Sequence, residues 1–176
     1  MSALPDWVVE AGVLCGRFRQ ILVSAEHQTL LLCEAKSVMA TYSISTSRYG
    51  LGGTEGSYKT PLGKHRIAAK IGDGVPLGEV FVGRLAQGYS ADILQDESRS
   101  EDDSITSRIL WLEGLELGLN QGAGCDSKQR YIYIHGTAEE GLIGQPVSIG
   151  CVRMKNRDVI ELFDRVCEGD LVTILK

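Results

Sequence analysis

Residues 148–154 read SIGCVRM, and upstream, at 134–137, the chain reads IHGT. The first segment places Gly150 directly before Cys151 and Arg153 two residues after it. The second places Gly136 directly after His135. A glycine beside a functional side chain lets a second strand or a substrate approach the backbone closely. A cysteine attacks as its thiolate, yet a free thiol is mostly protonated near neutral pH, so it needs a nearby base or a positive potential. The chain has 3 histidines. His27 falls in an expected hairpin turn and His65 just after a loop corner. His135 ends an alternating run, YIYIHG (131–136), that reads as a strand, and strand ends are where sites are often built. If the chain turns at Gly150, the N–H groups around 150–152 could face an oxyanion. Spacing alone leaves two readings of Cys151 open. It is a small core hydrophobe, as buried free cysteines commonly are, or it is a nucleophile with His135 as its base. A metal site on His135 and Cys151 is a further option that metal analysis would test.

Working outward, short apolar runs broken by glycine, serine and asparagine predict a strand-rich fold. RQILVSAE (19–26) and TLLLCEA (29–35) read as a hairpin, with SVMATYSIST (37–46) as a third strand. The glycine-rich stretch 48–67 is not a phosphate-binding loop. His65 follows Gly63-Lys64 where Ser or Thr is required, and Tyr58 stands where the first glycine belongs. It reads as turns, with Pro61 and Gly63 making a corner before HRIAAKI. EVFVGRL (79–85) reads as one strand, and RILWLEGLEL (108–117) as either strand or short helix. DILQDESRSEDDS (92–104) is the most acidic stretch and reads as a solvated loop. PVSIGCVRM (146–154) is an apolar segment broken at the cysteine. Toward the end, Asn156 is expected to cap a helix from Arg157 to about Cys167, with Asp158 in its first turn. Val159, Phe163 and Val166 form its apolar face, Gly169 stops it, and DLVTILK closes as a strand. Cys33 and Cys167 are expected in the core, while Cys15 and Cys125 lack an interpretable pattern.

Composition narrows the function classes. The 176 residues suit a single domain. A net charge of −5 argues against a nucleic-acid partner. No apolar run is long enough for a membrane span. The 5 cysteines are odd in number and include no C-x-x-C pair, which fits free thiols in a reducing compartment and gives a structural zinc site little support. The opening MSALPDWVVEAGVLCGRFRQ lacks a basic region and a long apolar stretch, and Leu14 before Cys15 does not suit a lipoprotein signal. A cytoplasmic protein is therefore expected, or a periplasmic one if an export signal lies outside this sequence.

The motif IHGT, a gap, then S-x-G-C-x-R-M-x-N-x-D resembles the signature of the L,D-transpeptidase catalytic (YkuD) family. It is met here by residues 134–137, by 148–154, and by Asn156 and Asp158. The N-terminal hairpin, the strand ending SIST and the corner KTPLGKHRI are similar to the family's first half. The resemblance covers residues 20–176, with a divergent middle at about 72–128. It implies a mostly β, β-sandwich-like YkuD fold with one or two helices, in a single domain at 20–176 behind an N-terminal segment at 1–19. It also implies a Cys–His acyltransferase acting on the peptidoglycan stem peptide, without metal or cofactor. Cys151 would be the nucleophile, His135 the base and the Gly136 carbonyl the group that orients the imidazole. N–H groups near Gly150 and Cys151 would hold the oxyanion. Arg153, Ser148 and Thr137 would contact substrate, Arg153 by positioning the site or binding a carboxylate, and Ser148 chiefly by bracing its loop. Many members carry a second histidine directly before the Gly-Cys, where this chain has Ile149.

The expected reaction cleaves the bond between the L-centre of the third stem residue and the terminal D-alanine, through a thioester. Because no export signal is read, hydrolysis is the expected outcome, as in a cytosolic L,D-carboxypeptidase of peptidoglycan recycling. The alternatives are an L,D-transpeptidase that passes the acyl group to an amine, and a catalytically silent peptidoglycan-binding module. The sequence is silent on oligomeric state.

Overall fold

A computed structural model describes residues 5–10, 19–35 and 37–176, so Cys15 lies outside the described residues. A short helix α1 (Asp6–Glu10) precedes strands β1 (Gln20–Ser24), β2 (Thr29–Glu34) and β3 (Ser37–Ser45). Then come β4 (Gly63–Ile71), the hairpin β5 (Glu79–Val82) and β6 (Leu85–Ser90), and the long β7 (Ile105–Gly114). After β8 (Tyr133–Thr137) a single 3₁₀ turn (Glu140–Leu142) leads to β9 (Val152–Met154), helix α2 (Asn156–Arg165) and β10 (Leu171–Leu175). The mostly β, two-helix architecture is the one the sequence implies.

The strands form one sheet in the order β4-β10-β1-β2-β3-β9-β8-β7-β5-β6, and β4 also pairs with β7. That second pairing joins the sheet to itself, so the sandwich-like body is a continuous curled sheet from which the β5–β6 hairpin projects. Closure removes two edges that would otherwise offer unpaired backbone groups. The interior is filled by alternate residues of nearly every strand, including Ile21, Leu30, Ile44, Ile67, Leu110, Ile134, Val152 and Val172. Val159, Leu162 and Phe163 of α2 join them, as the expected apolar face requires. β1 is buried at every position because Trp7 and Val8 of α1 cover its other face with Leu22, Leu31 and Cys33.

Several expectations are corrected. EVFVGRL is not one strand, because the chain reverses at Gly83 (φ 54) and Arg84 (φ 70). Two central residues with positive φ make the tight turn whose twist matches paired strands. Val-Gly-Arg-Leu lacks the Asn-Gly or Asp-Gly pair that usually signals it. The ambiguous run at 108–117 is strand to Gly114. The strand carrying His135 runs on to Thr137, so His135 sits in its middle rather than at its end. Lys155, not Asn156, is the residue before the first helical turn. The helix stops at Arg165 because Val166 is extended, which leaves Cys167 beyond it and exposed rather than in the core. Gly169 (φ 92) serves the turn into β10.

Asn156 has a larger task than capping. Its side-chain oxygen accepts from the hydroxyls of Thr106 and Ser107, both at 2.6 Å. Its nitrogen donates to the Thr137 carbonyl (2.9 Å) and to Glu140 (2.7 Å). The fully buried carboxamide thus ties α2 to β7, β8 and the 3₁₀ turn. A lost cap costs about 1 kcal/mol, whereas orphaning several buried polar groups costs about 1–3 kcal/mol for each. Asn156→Ala should therefore lower stability by about 2–4 kcal/mol in urea denaturation. A loss near that of a simple cap would contradict the network described.

Candidate active site

β8 and β9 run parallel, with His135 opposite Arg153 and Ile134 opposite Val152. Side chains alternate across a strand, so Ile134, Val152 and Met154 enter the core while Tyr133, His135, Cys151 and Arg153 share the other face. Cys151 is the last residue before β9 and packs against the cluster of Phe81, Ile109 and Tyr133. His135 and Cys151 are thereby diagonal neighbours on one face.

The imidazole is oriented by its own strand. His135 Nδ1 lies 2.6 Å from the Gly136 carbonyl. A carbonyl only accepts, so Nδ1 carries the proton and Nε2 is the basic nitrogen. Gly136 is required by close approach, since a Cβ there would meet the Thr106 carbonyl at 2.6 Å and the Asn156 side-chain oxygen at 2.7 Å.

The cysteine loop is shaped from three sides. Ser148 Oγ donates to the Cys151 carbonyl (2.6 Å) and accepts from the Gly150 N–H (3.3 Å). Ser148 also pairs with the chain at 46–48 through two backbone bonds. Thr60 donates to the Gly150 carbonyl at 2.9 Å, which shows what the glycine-rich stretch does: it buttresses this loop. Gly150 has φ 132, a conformation that suits glycine. The thiol accepts from the Tyr133 N–H and donates to the Tyr131 carbonyl, both at 3.4 Å.

Burial holds this pair neutral. It pushes the His135 imidazole down to about 4, against the opposing pull of the Gly136 carbonyl. It pushes the Cys151 thiol up to about 11, partly offset by the Tyr133 N–H and by Arg153 and Arg130. The carboxylate of Asp103 opposes those two arginines, favouring the charged imidazole and disfavouring the thiolate.

Arg153, Ser148 and Thr137, the expected substrate contacts, are all buried and engaged within the protein. Arg153 binds Glu139 (2.8 Å) and Asp103 (2.5 Å) through its two terminal nitrogens, so no open fork faces a substrate. Thr137 accepts from the Glu139 N–H and braces the exit from β8. Sequence reasoning missed Asp103, which lies in the acidic stretch read as solvent-facing. Most of that stretch is exposed, but Ser100 binds Glu139 and Asp103 reaches the buried Arg153. Nothing in the run of like charges marks one carboxylate as different. Also missed were Arg130, which donates to the carbonyls of Lys59 (2.7 Å) and Gly52 (3.4 Å), and the aromatic wall of Trp111, Tyr131 and Tyr133. Among the described residues no group of three His, Cys, Asp or Glu side chains could hold a metal ion.

These elements match known proteins. The L,D-transpeptidase catalytic domain model, YkuD, matches residues 19–174. The chain belongs to that family. YkuD of Bacillus subtilis (strain 168) is 56% identical over 48 residues, which cover 27% of this chain and 29% of that protein. The match to the YkuD protein of Bacillus licheniformis is similar, at 54% over 48 residues. The fold is shared with an L,D-transpeptidase from Mycobacterium smegmatis, with a TM-score of 0.55 and 16% identity over 92% of this chain and 60% of that one. It is shared too with L,D-transpeptidase 3 from Mycobacterium tuberculosis in complex with a faropenem-derived adduct, with a TM-score of 0.56 and 14% identity over 92% and 61%. The chain thus spans under a third of the curated relatives it matches and about three fifths of those solved structures.

Two predictions follow from the electrostatics. Asp103→Asn removes a charge that disfavours the thiolate, so the pH midpoint of iodoacetamide labelling at Cys151 should move down; an upward move would contradict the arrangement. The second concerns His135 and His65, the latter also buried and pushed down to about 4, with Ser127 and the Gly63 carbonyl on its ring nitrogens. Both are depressed below the unfolded value, so the unfolded chain binds protons first and stability falls as pH drops from about 6.5 to about 4. Urea denaturation at pH 5 against pH 7 should show a loss of about 2 kcal/mol per imidazole, and a flat profile would refute their neutrality.

Proposed function

We propose that this protein is a cysteine acyltransferase acting on the peptidoglycan stem peptide, with Cys151 as nucleophile and His135 as base. The observation that carries the reading is the His135–Gly136 bond, which fixes Nε2 as the proton acceptor on the face that holds the thiol. The resting pair is neutral, so attack is coupled to proton transfer rather than drawn from a standing ion pair. The Cys151 sulfur attacks the carbonyl of the third stem residue while its proton passes to Nε2. The backbone N–H of Cys151 would hold the oxyanion, since the Gly150 N–H is already given to Ser148 Oγ. The C–N bond then breaks, and His135 returns the proton to the departing D-alanine amine. The thioester is resolved when His135 deprotonates an incoming water or amine, the C–S bond breaks and the thiol is reprotonated.

Arg153 serves here as a positioning residue, neutralised by Glu139 and Asp103 beneath the pair. Ser148 and Thr137 brace the two loops. Water is the favoured acceptor. Arg130 and Arg84 carry positive charge beside the thiol's surroundings, which suits a donor rich in carboxylates and disfavours an ammonium acceptor. The product would be a tripeptide stem, consistent with trimming of soluble muropeptides in the cytosol. Transfer to an amine, as in an L,D-transpeptidase, is the second reading, because it shares every step up to the thioester.

The test is mass spectrometry of the protein with a tetrapeptide muropeptide, with and without a D-amino acid. Tripeptide alone is expected, and exchanged or dimeric product would assign the amine instead. Cys151→Ser should lower turnover by at least about a thousandfold with its fold intact by circular dichroism. Full activity in that variant would end the mechanism.

A further inference from the structure

Arg84 occupies the tip of the β5–β6 hairpin. Its guanidinium carbon lies 4.5 Å from the Trp111 ring centre and 5.2 Å from that of Tyr131. A terminal nitrogen donates to the Tyr133 hydroxyl at 3.0 Å. Backbone groups of these same tyrosines hold the thiol, through the Tyr133 N–H and the Tyr131 carbonyl. Among the described residues no carboxylate pairs with Arg84. The other side chains at the tip, Val82 and Leu85, are 62% and 72% exposed, so the arginine is the tip residue laid against the body of the protein.

Such an arginine is pre-arranged for an anion. Guanidinium offers five N–H donors, and only one is committed to Tyr133. Stacking on aromatic faces fixes its plane, so less freedom is lost when a planar carboxylate binds it through two bonds. The aromatic backing also lowers water's competition on one side.

We propose that Arg84 is a carboxylate-binding residue of the donor site, taking a stem-peptide carboxylate carried close in sequence to the scissile carbonyl. The inference rests on the acyl-transfer reading above for the identity of the ligand. Two substrate carboxylates answer to this chemistry: the terminal carboxylate of the leaving D-alanine, and the side-chain carboxylate where the third residue is diaminopimelate. The same contacts would also let Arg84 act only as a latch on the hairpin, and the test separates these roles.

In a Cys151→Ala background, which cannot turn over, calorimetric titration would compare the diaminopimelate tetrapeptide with its terminal amide and with its side-chain amide. The free acid should bind about tenfold more tightly than one of the amides, and which amide suffers tells which carboxylate is used. Arg84→Ala should abolish that preference. Equal binding of all three ligands, no binding at all, or an equal loss for all three in Arg84→Ala would overturn the proposal, the last showing a latch. Product analysis of the wild-type protein is read separately. A carboxylate preference without any product sinks the acyl-transfer reading and leaves the Arg84 site standing. Product formed without a preference does the reverse.

Discussion

Parallel strands cannot be joined by a tight turn, so the chain that leaves β8 at Thr137 must travel before it can return as β9 at Val152. That obligatory crossing, residues 138–151, is what the site is made from. Its first part supplies Glu139 to Arg153 and Glu140 to Asn156. Its last part is the Ser148–Cys151 loop. Because β8 and β9 then lie side by side in a fixed register, the histidine of one and the cysteine that enters the other reach a common face without depending on a flexible loop. Supports from elsewhere, such as Thr60, Thr46 and Asn156, act on the crossing or on the strands at its ends.

Burial does the electrostatic work in this arrangement. Desolvation is the largest influence on both His135 and Cys151, and it acts in opposite directions on their protonation. The nearby charges are Arg153 and Arg130 on one side and Asp103 on the other, and they partly cancel. A proton can then move from sulfur to nitrogen without either group having first to shed a strong counterion.

Much of this was legible in the sequence. Spacing leaves the reading of Cys151 open, and the family resemblance implies its pairing with His135 and the Gly136 carbonyl on the imidazole, which is the contact the structure has. The first three strands follow from short apolar runs bounded by turn residues, and the apolar face of α2 follows from its helical spacing. What was not legible depends on partners distant in sequence. Asn156 looks like a helix cap because its neighbours in sequence favour that reading, while its actual partners, Thr106 and Ser107, lie on another strand. Asp103 looks like one more solvated acid, since burial of its partner Arg153 cannot be seen from the charge run. Cys167 follows helical spacing, but Val166 has already left the helix. The turn at Gly83-Arg84 is hidden because an arginine holds the second positive-φ position, where Gly or Asn usually stands.

The sheet order also has a temporal meaning. β10 lies between β4 and β1, pairing in parallel with β1 and antiparallel with β4. Among the described residues the first and last strands are therefore neighbours, and the sheet stays open until residues 171–175 have left the ribosome. Contacts so far apart in sequence slow folding, because loop-closure entropy is spent before they form. Until then the hydrogen-bonding edges of β1 and β4 are both unpaired on that side, which makes the nascent chain most prone to association just before its synthesis through β10 is complete.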